Sequence, residues 1–154
     1  MSQNPPTFND IAQQVQKIVN AETAVVALAE AEGQIVHYVA AVGKYAELML
    51  DKKADAATSG LCGTAFQGQD PVLVCRTEGD SRVRQDYVKS LNIQTALAVP
   101  LYYDNRLLGA LMVLNRQDSS LFDPESERIL AEYANQAAIL VHQYQKDLGN
   151  RPPA

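Results

Sequence analysis

Two apolar runs, TALAVPLYY at 95–103 and LLGALMVLN at 107–115, stand on either side of Asp104-Asn105 and narrow the available folds at once. Both turn residues tolerate left-handed φ, as a tight hairpin loop requires, so the runs are predicted to pair as antiparallel strands. Pro100 offers no N–H to a ladder, which places its strand at an edge there or interrupts it with a bulge. An earlier run, TAVVALA at 23–29, is apolar on both alternating sets and rich in Val, so its strand is expected to be covered on both faces. A chain with such strands needs a packed layer on each side of its sheet.

The layers are legible in the flanking segments. Phe8, Ile11, Val15, Ile18 and Val19 recur at the period of an amphipathic helix, with Thr7 or Asn9 as its cap. Glu32-Gly33 separates 23–29 from a second strand at 34–42, since Gly supplies the positive φ of a tight turn. A fifth strand is predicted at 71–75, between short helices at 61–66 and 83–91; in the latter, Val83, Tyr87, Val88 and Leu91 share a face. Asp123 as N-cap, Pro124, Glu125 and Glu127 open a long last helix. Its apolar set of Ile129, Leu130, Tyr133, Ala134, Ala137, Leu140, Val141, Tyr144 and Leu148 spans an arc wider than one sheet contact needs, so a second element is expected to cover part of it. Gly149 and the RPPA tail end the helix. The expected fold class is α+β, an antiparallel sheet with helices on both faces. One domain spans 1–154, with the first helix in 1–21, sheet and lid in 22–122, the last helix in 123–148 and a tail at 149–154.

Composition supports a full core, with 47% of residues hydrophobic and only 20% charged. The net charge of -5 disfavours a nucleic-acid partner, because phosphate must meet a positive surface. The longest apolar runs, such as 107–114, fall well short of the roughly 18 residues of a membrane span. The opening MSQNPPTFND carries no secretory signal, so a cytoplasmic location is expected. Cys62 and Cys75 are too few for a disulfide framework and have no zinc-ligand neighbours. No P-loop, nucleophile elbow, HExxH or CxxC motif is present.

From 59 to 144 the order of signals resembles a GAF domain, the small-molecule sensing module related to PAS domains. SGLCGTAFQGQDPVLV is similar to the family's glycine-punctuated helix and strand, and Gly79-Asp80-Ser81-Arg82 to its loop before the lid helix. Residues 93–101 resemble the strand ending in Val-Pro-Leu, LLGALMVLNR the strand that follows, and Phe122 with its acidic helix start the entry to the last helix. The resemblance implies a GAF/PAS-like fold and a non-catalytic sensor, with a small ligand, an anion among the candidates, held between sheet and lid. A GAF-like unit uses almost all 154 residues, so an output domain is expected to be external: a twin or a separate signalling protein.

Subfamily patterns are tested residue by residue. Asn115-Arg116, Phe122 and Ser126-Glu127 resemble the Asn-Lys, Phe, Asp-Glu pattern of cyclic-nucleotide-binding GAF domains, but Ser126 lacks the carboxylate that would meet the cation. A surface ion pair from Arg116 to Glu127, tying last strand to last helix, is the expectation instead. The stretch 60–65 resembles free methionine-(R)-sulfoxide reductases, yet 88–95, where that family carries its attacking cysteine, reads VKSLNIQT. Cys62 is therefore expected to be a small buried side chain, and a divergent reductase is the alternative reading. Neither cysteine is followed by His, which disfavours a covalent bilin; His37 and His142 are expected to be structural or exposed. No cofactor or metal is assigned.

In a GAF-like fold the mixed-charge stretch Asp80, Arg82, Arg84 and Asp86 would close over the sheet. The candidate ligand set is Arg82 or Arg84 as donor forks, Tyr87 as ring and hydroxyl, and Cys62, Gly63 and Thr64 at a helix start that favours negative charge. Ile11, Val15, Tyr133, Leu140 and Tyr144 are the candidate interface of a two-fold homodimer, which makes a ligand-free dimerisation module the other alternative.

Overall fold

The computed structural model describes residues 8–58 and 60–149, the side chains of 147–149 excepted. Thr7 as a cap and the terminal RPPA lie outside the described residues, as does the side chain of Leu148 on the apolar arc. Chain order runs α1 (Phe8–Ile18), β1 (Ala21–Glu30), a 3-10 turn (Ala31–Gly33), β2 (Ile35–Gly43), α2 (Ala46–Met49) and β3 (Lys53–Asp55). It continues with α3 (Leu61–Gly68), β4 (Val72–Val74), α4 (Gln85–Leu91), β5 (Ala96–Tyr103), β6 (Arg106–Arg116) and α5 (Pro124–Gly149). The strands form one antiparallel sheet in the order β3-β2-β1-β6-β5-β4.

The β5–β6 hairpin turns at Asp104 and Asn105, whose φ values are 52° and 64°, as their residue types lead one to expect. Pro100 pairs with Ala110 of β6, while β4 reaches only as far as Ala98. On that side β5 is an edge at Pro100, and the missing N–H leaves no ladder bond open. Between β1 and β2, Gly33 has the expected positive φ of 86°, and Ala31 and Glu32 are left-handed as well. Gly109 is demanded by close approach: a Cβ there would stand 1.9 Å from the Ala27 carbonyl oxygen on β1.

Alternation along the central strands feeds two cores. Ala24 and Val26 of β1, Leu97, Val99 and Leu101 of β5, and Leu111 and Val113 of β6 face α1 and α5. Val25 and Ala27, Ala96 and Ala98, and Ala110, Met112 and Leu114 face α2, α3 and α4. Double coverage explains the near-continuous apolar runs.

Ile11 and Val15 of α1 are 2% and 0% exposed, turned into the first core, where each contributes about 1.5–3 kcal/mol of burial. The outer face of α1 is polar, with Asn9, Gln13, Gln14 and Lys17 exposed. Asn9 lies inside the first turn and is not the cap. The extra arc of α5 is covered by α1 of the same chain, with the Phe8 and Tyr144 rings edge to face at 4.5 Å. Two residues of the expected homodimer interface are corrected: Ile11 and Val15 are buried within the chain. Tyr133 and Leu140 are half-buried against the same core, and Tyr144 is half-buried against Phe8. Of the α5 residues, Ile139 is exposed, among Arg128, Glu132, Gln136, Gln143 and Lys146.

Asp123 caps α5 as expected, its Oδ1 accepting from the Ser126 backbone N–H at 2.8 Å and the Ser126 hydroxyl at 2.9 Å. No helix of the described residues is long and apolar enough to cross a membrane.

Candidate functional site

The second face of the sheet carries the candidate site. Gly60, at φ 85°, begins α3 directly against Arg84, because a Cβ there would lie 3.1 Å from the Arg84 Cγ. The loop before α4 is held by Gln85, whose amide donates to the carbonyls of Thr77 at 2.9 Å and Asp80 at 2.8 Å and whose Oε1 accepts from Gly79 N–H at 3.0 Å. The Thr77 hydroxyl donates to the Ile93 carbonyl at 2.6 Å and closes the far end of the same segment. These clasps bind the lid mainly to itself.

Beneath the lid, Tyr38, Met49, Leu61, Val83, Arg84, Tyr87, Ile93, Met112 and Leu114 surround a cavity of about 20 Å³. That is room for roughly one water molecule. Tyr38 is 8% exposed, and no hydrogen bond of a described residue reaches its hydroxyl. Burial holds its phenol well above the usual tyrosine range, so it is a neutral O–H at physiological pH.

Both candidate donor forks are engaged within their own loop. Arg84 Nη2 donates to Asp86 at 2.7 Å and its guanidinium lies 4.1 Å from the centre of the Tyr87 ring. Arg82 Nη2 donates to Asp80 at 2.6 Å, and the hydrogen bond from Arg82 holds the Asp80 carboxyl below the usual range. Arg84 and Tyr87 line the cavity; Arg82 is exposed and does not. Cys62 and Gly63 are buried on α3, outside the cavity lining. The Cys62 thiol is directed at Met112 Sδ, 3.7 Å away, and burial pushes its pKa up to about 12. The Thr64 hydroxyl turns back to the Gly60 carbonyl at 3.0 Å. Tyr38, Met49, Ile93, Met112 and Leu114 complete the wall without having been singled out. The signal for Met112 and Leu114 was present in the period of β6, whereas Met49 sits on a four-residue helix with no sequence pattern of its own.

The Asn115-Arg116 pattern resolves differently. Asn115 Oδ1 accepts from the Gln94 N–H at 2.6 Å, and its Nδ2 donates to the Asn92 carbonyl at 3.1 Å. Phe122 is a core residue, and Ser126 belongs to the cap of α5. The expected Arg116–Glu127 ion pair is not formed. Arg116 Nη1 instead reaches the Leu121 carbonyl at 3.4 Å, and its charge acts on Asp118 and Asp123. The histidines have structural partners: His142 stacks on Tyr103 at 4.0 Å, and His37 lies between Glu30 and Asp51.

An antiparallel sheet with a helix pair on one face and a lid over a small cavity on the other defines an α+β lid-over-sheet domain. The GAF domain family model matches residues 7–142, and the chain belongs to that family. No curated relative matches the sequence. Among solved structures, the GAF domain of an Acinetobacter phosphoenolpyruvate-protein phosphotransferase is 19% identical, with 94% of this chain and 84% of that one covered and a TM-score of 0.75. The GAF-B domain of DevS from Mycobacterium smegmatis is 17% identical, with 94% and 96% covered and a TM-score of 0.72. The type II free methionine-R-sulfoxide reductase of Thermoplasma acidophilum is 20% identical, with 88% and 89% covered and a TM-score of 0.71. Identities this low show a shared fold, and one fold carries several functions.

Proposed function

We propose that this GAF domain is a non-catalytic sensor that takes a small ligand between the sheet and its α3–α4 lid. The observation that carries the reading is the cavity under the lid, whose rim bears Arg84 and Tyr87 and whose wall includes the Tyr38 side chain. The present cavity is far below the ~300–1,000 Å³ of ordinary ligand sites, so binding requires the lid to move outward. Two features favour that movement. Met49 and Met112 are adaptable wall residues, and the Arg84–Asp86 pair lies at the surface, where solvent screening leaves an ion pair weak, so Arg84 can exchange its carboxylate for an anionic ligand.

The signal would cross the sheet, because one strand serves both cores. Met112 and Leu114 face the cavity while Leu111 and Val113 of the same strand face the α1–α5 side. The recipient in this reading is a twin or a separate protein engaged at the outer faces of α1 and α5. Catalysis of the reductase kind is disfavoured by Cys62, whose buried thiol stays protonated at neutral pH and so lacks the attacking thiolate.

Thermal-shift and native mass-spectrometric screens across nucleotides, nitrate, amino acids and bilins test the proposal. A ligand that stabilises the wild type and loses that effect in Tyr38→Phe and Tyr87→Ala is expected. Absence of any stabilising ligand sinks it, and turnover of free methionine sulfoxide that Cys62→Ser abolishes replaces it with the reductase reading.

A further inference from the structure

We infer that the polar groove on the far side of α4 is a second binding site, for a multiply charged anion of the phosphate class. Two cavities of about 750 and 230 Å³ share Asn92, Gln94 and Ser119 and so form one depression from α4 to the end of β6. Its charged lining is Arg76, Lys89, Lys44 and Arg116 against Glu78 and Glu22. Four cations facing two carboxylates make a local positive site on a chain whose net charge is -5.

The state of these cations differs from that of the lid arginines. Arg82 and Arg84 hold carboxylates at 2.6 and 2.7 Å, whereas Arg76 and Lys89 are exposed and make no ion pair among the described residues. Lys44 approaches Glu22 only at 3.9 Å. Arg116, whose charge also acts on Asp118 and Asp123, is short of hydrogen-bond acceptors: its Nε is buried with none, and its only hydrogen bond among the described residues is the 3.4 Å contact to Leu121. A guanidinium in this state calls for an oxygen-rich acceptor. Gln94 and Ser119 add neutral donors to the same wall. A single carboxylate would meet one part of the groove, while a phosphate chain offers oxygens to cations on both α4 and β6. An occupied groove would tie the lid helix, through Lys89, to the sheet end at Arg116. Ile93 lines both the groove and the inner cavity, so the anion would bias the lid without entering it.

Calorimetric titration with inorganic pyrophosphate at fixed ionic strength, followed by amide chemical shifts, tests this. Saturable binding with shifts at Asn92, Gln94 and Ser119 is expected. The Arg76→Gln/Lys89→Gln double variant, confined to exposed side chains, should weaken binding by about tenfold or more. Equal shifts with sodium chloride at matched ionic strength, or unchanged affinity in the double variant, overturn the proposal. So does binding of a single-stranded oligonucleotide where pyrophosphate fails. Tyr87→Ala separates the two sites: retained pyrophosphate binding is expected, and its loss would move the anion to the inner cavity and refute the groove.

Discussion

The Cys62 Sγ lies 3.7 Å from the Met112 Sδ, across the junction of α3 with β6. Both side chains are buried, which places the thiol where a reagent cannot reach it. In the native protein, a disulfide reagent should therefore modify the exposed Cys75 quickly and Cys62 only on unfolding. Equal rates for the two thiols would refute the packing. The pH dependence has a definite sign. Burial raises the folded pKa from 9.0 to about 12, so the stability present below pH 9 is lost progressively as pH climbs between those values. Denaturant midpoints measured from pH 8 to 11 should fall in the wild type and stay flatter in Cys62→Ala.

His37 Nδ1 stands 2.7 Å from Glu30 and Nε2 stands 2.7 Å from Asp51, so the ring bridges the two carboxylates. The bridge fastens the chain just after α2, which carries Met49, to β1. His37→Ala should cost about 1 kcal/mol, because Asp51 is largely exposed, and should speed hydrogen exchange at residues 49–52. Glu30 is held below the usual carboxylate range, first by the hydrogen bond from Lys53 and then by His37. Its contribution is present above the unfolded pKa and is lost as pH falls through the lower folded value. Lys53→Met should move that acid loss to higher pH, as read from the Glu30 carboxyl signal. An unmoved midpoint would remove Lys53 from the account.

Gly109→Ala should be among the most damaging changes to the sheet. The added Cβ would meet backbone of β1, which has no side-chain rotamer to give way. A loss of about 3 kcal/mol, the upper end for over-packing, is expected in equilibrium unfolding. A near-neutral result would mean that β1 and β6 are not in the register given.

Phe8 and Tyr144 should show a coupling of about 0.5–1.5 kcal/mol in a double-mutant cycle with Leu replacements. Because the pair lies within one chain, the coupling should not change with protein concentration. Concentration dependence would place these rings at an interface between twins.

Much of the fold was legible. Near-continuous apolar runs with Asp104 and Asn105 between them announce the central hairpin, and Asp123-Pro124 announces α5, because each signal depends on neighbours in sequence. α2 and β3 went unread, since a four-residue helix and a three-residue strand carry too few positions for any period to register. At the site, Arg84 and Tyr87 were legible as lid residues. Tyr38 looked like one more strand aromatic, because its burial depends on Met49, Tyr87 and Arg84 arriving from distant segments.

The sequence by itself determined an α+β domain with strands covered on both faces, since residue type and local φ preferences suffice for that, and the order of its motifs carried the resemblance to GAF domains. The tertiary structure decided what each polar side chain does. It gave Arg82 and Arg84 their own carboxylates, left Arg116 short of acceptors, and used α1 to cover the spare arc of α5. Pairings of that kind depend on distances between residues far apart in the chain, and no periodicity encodes them.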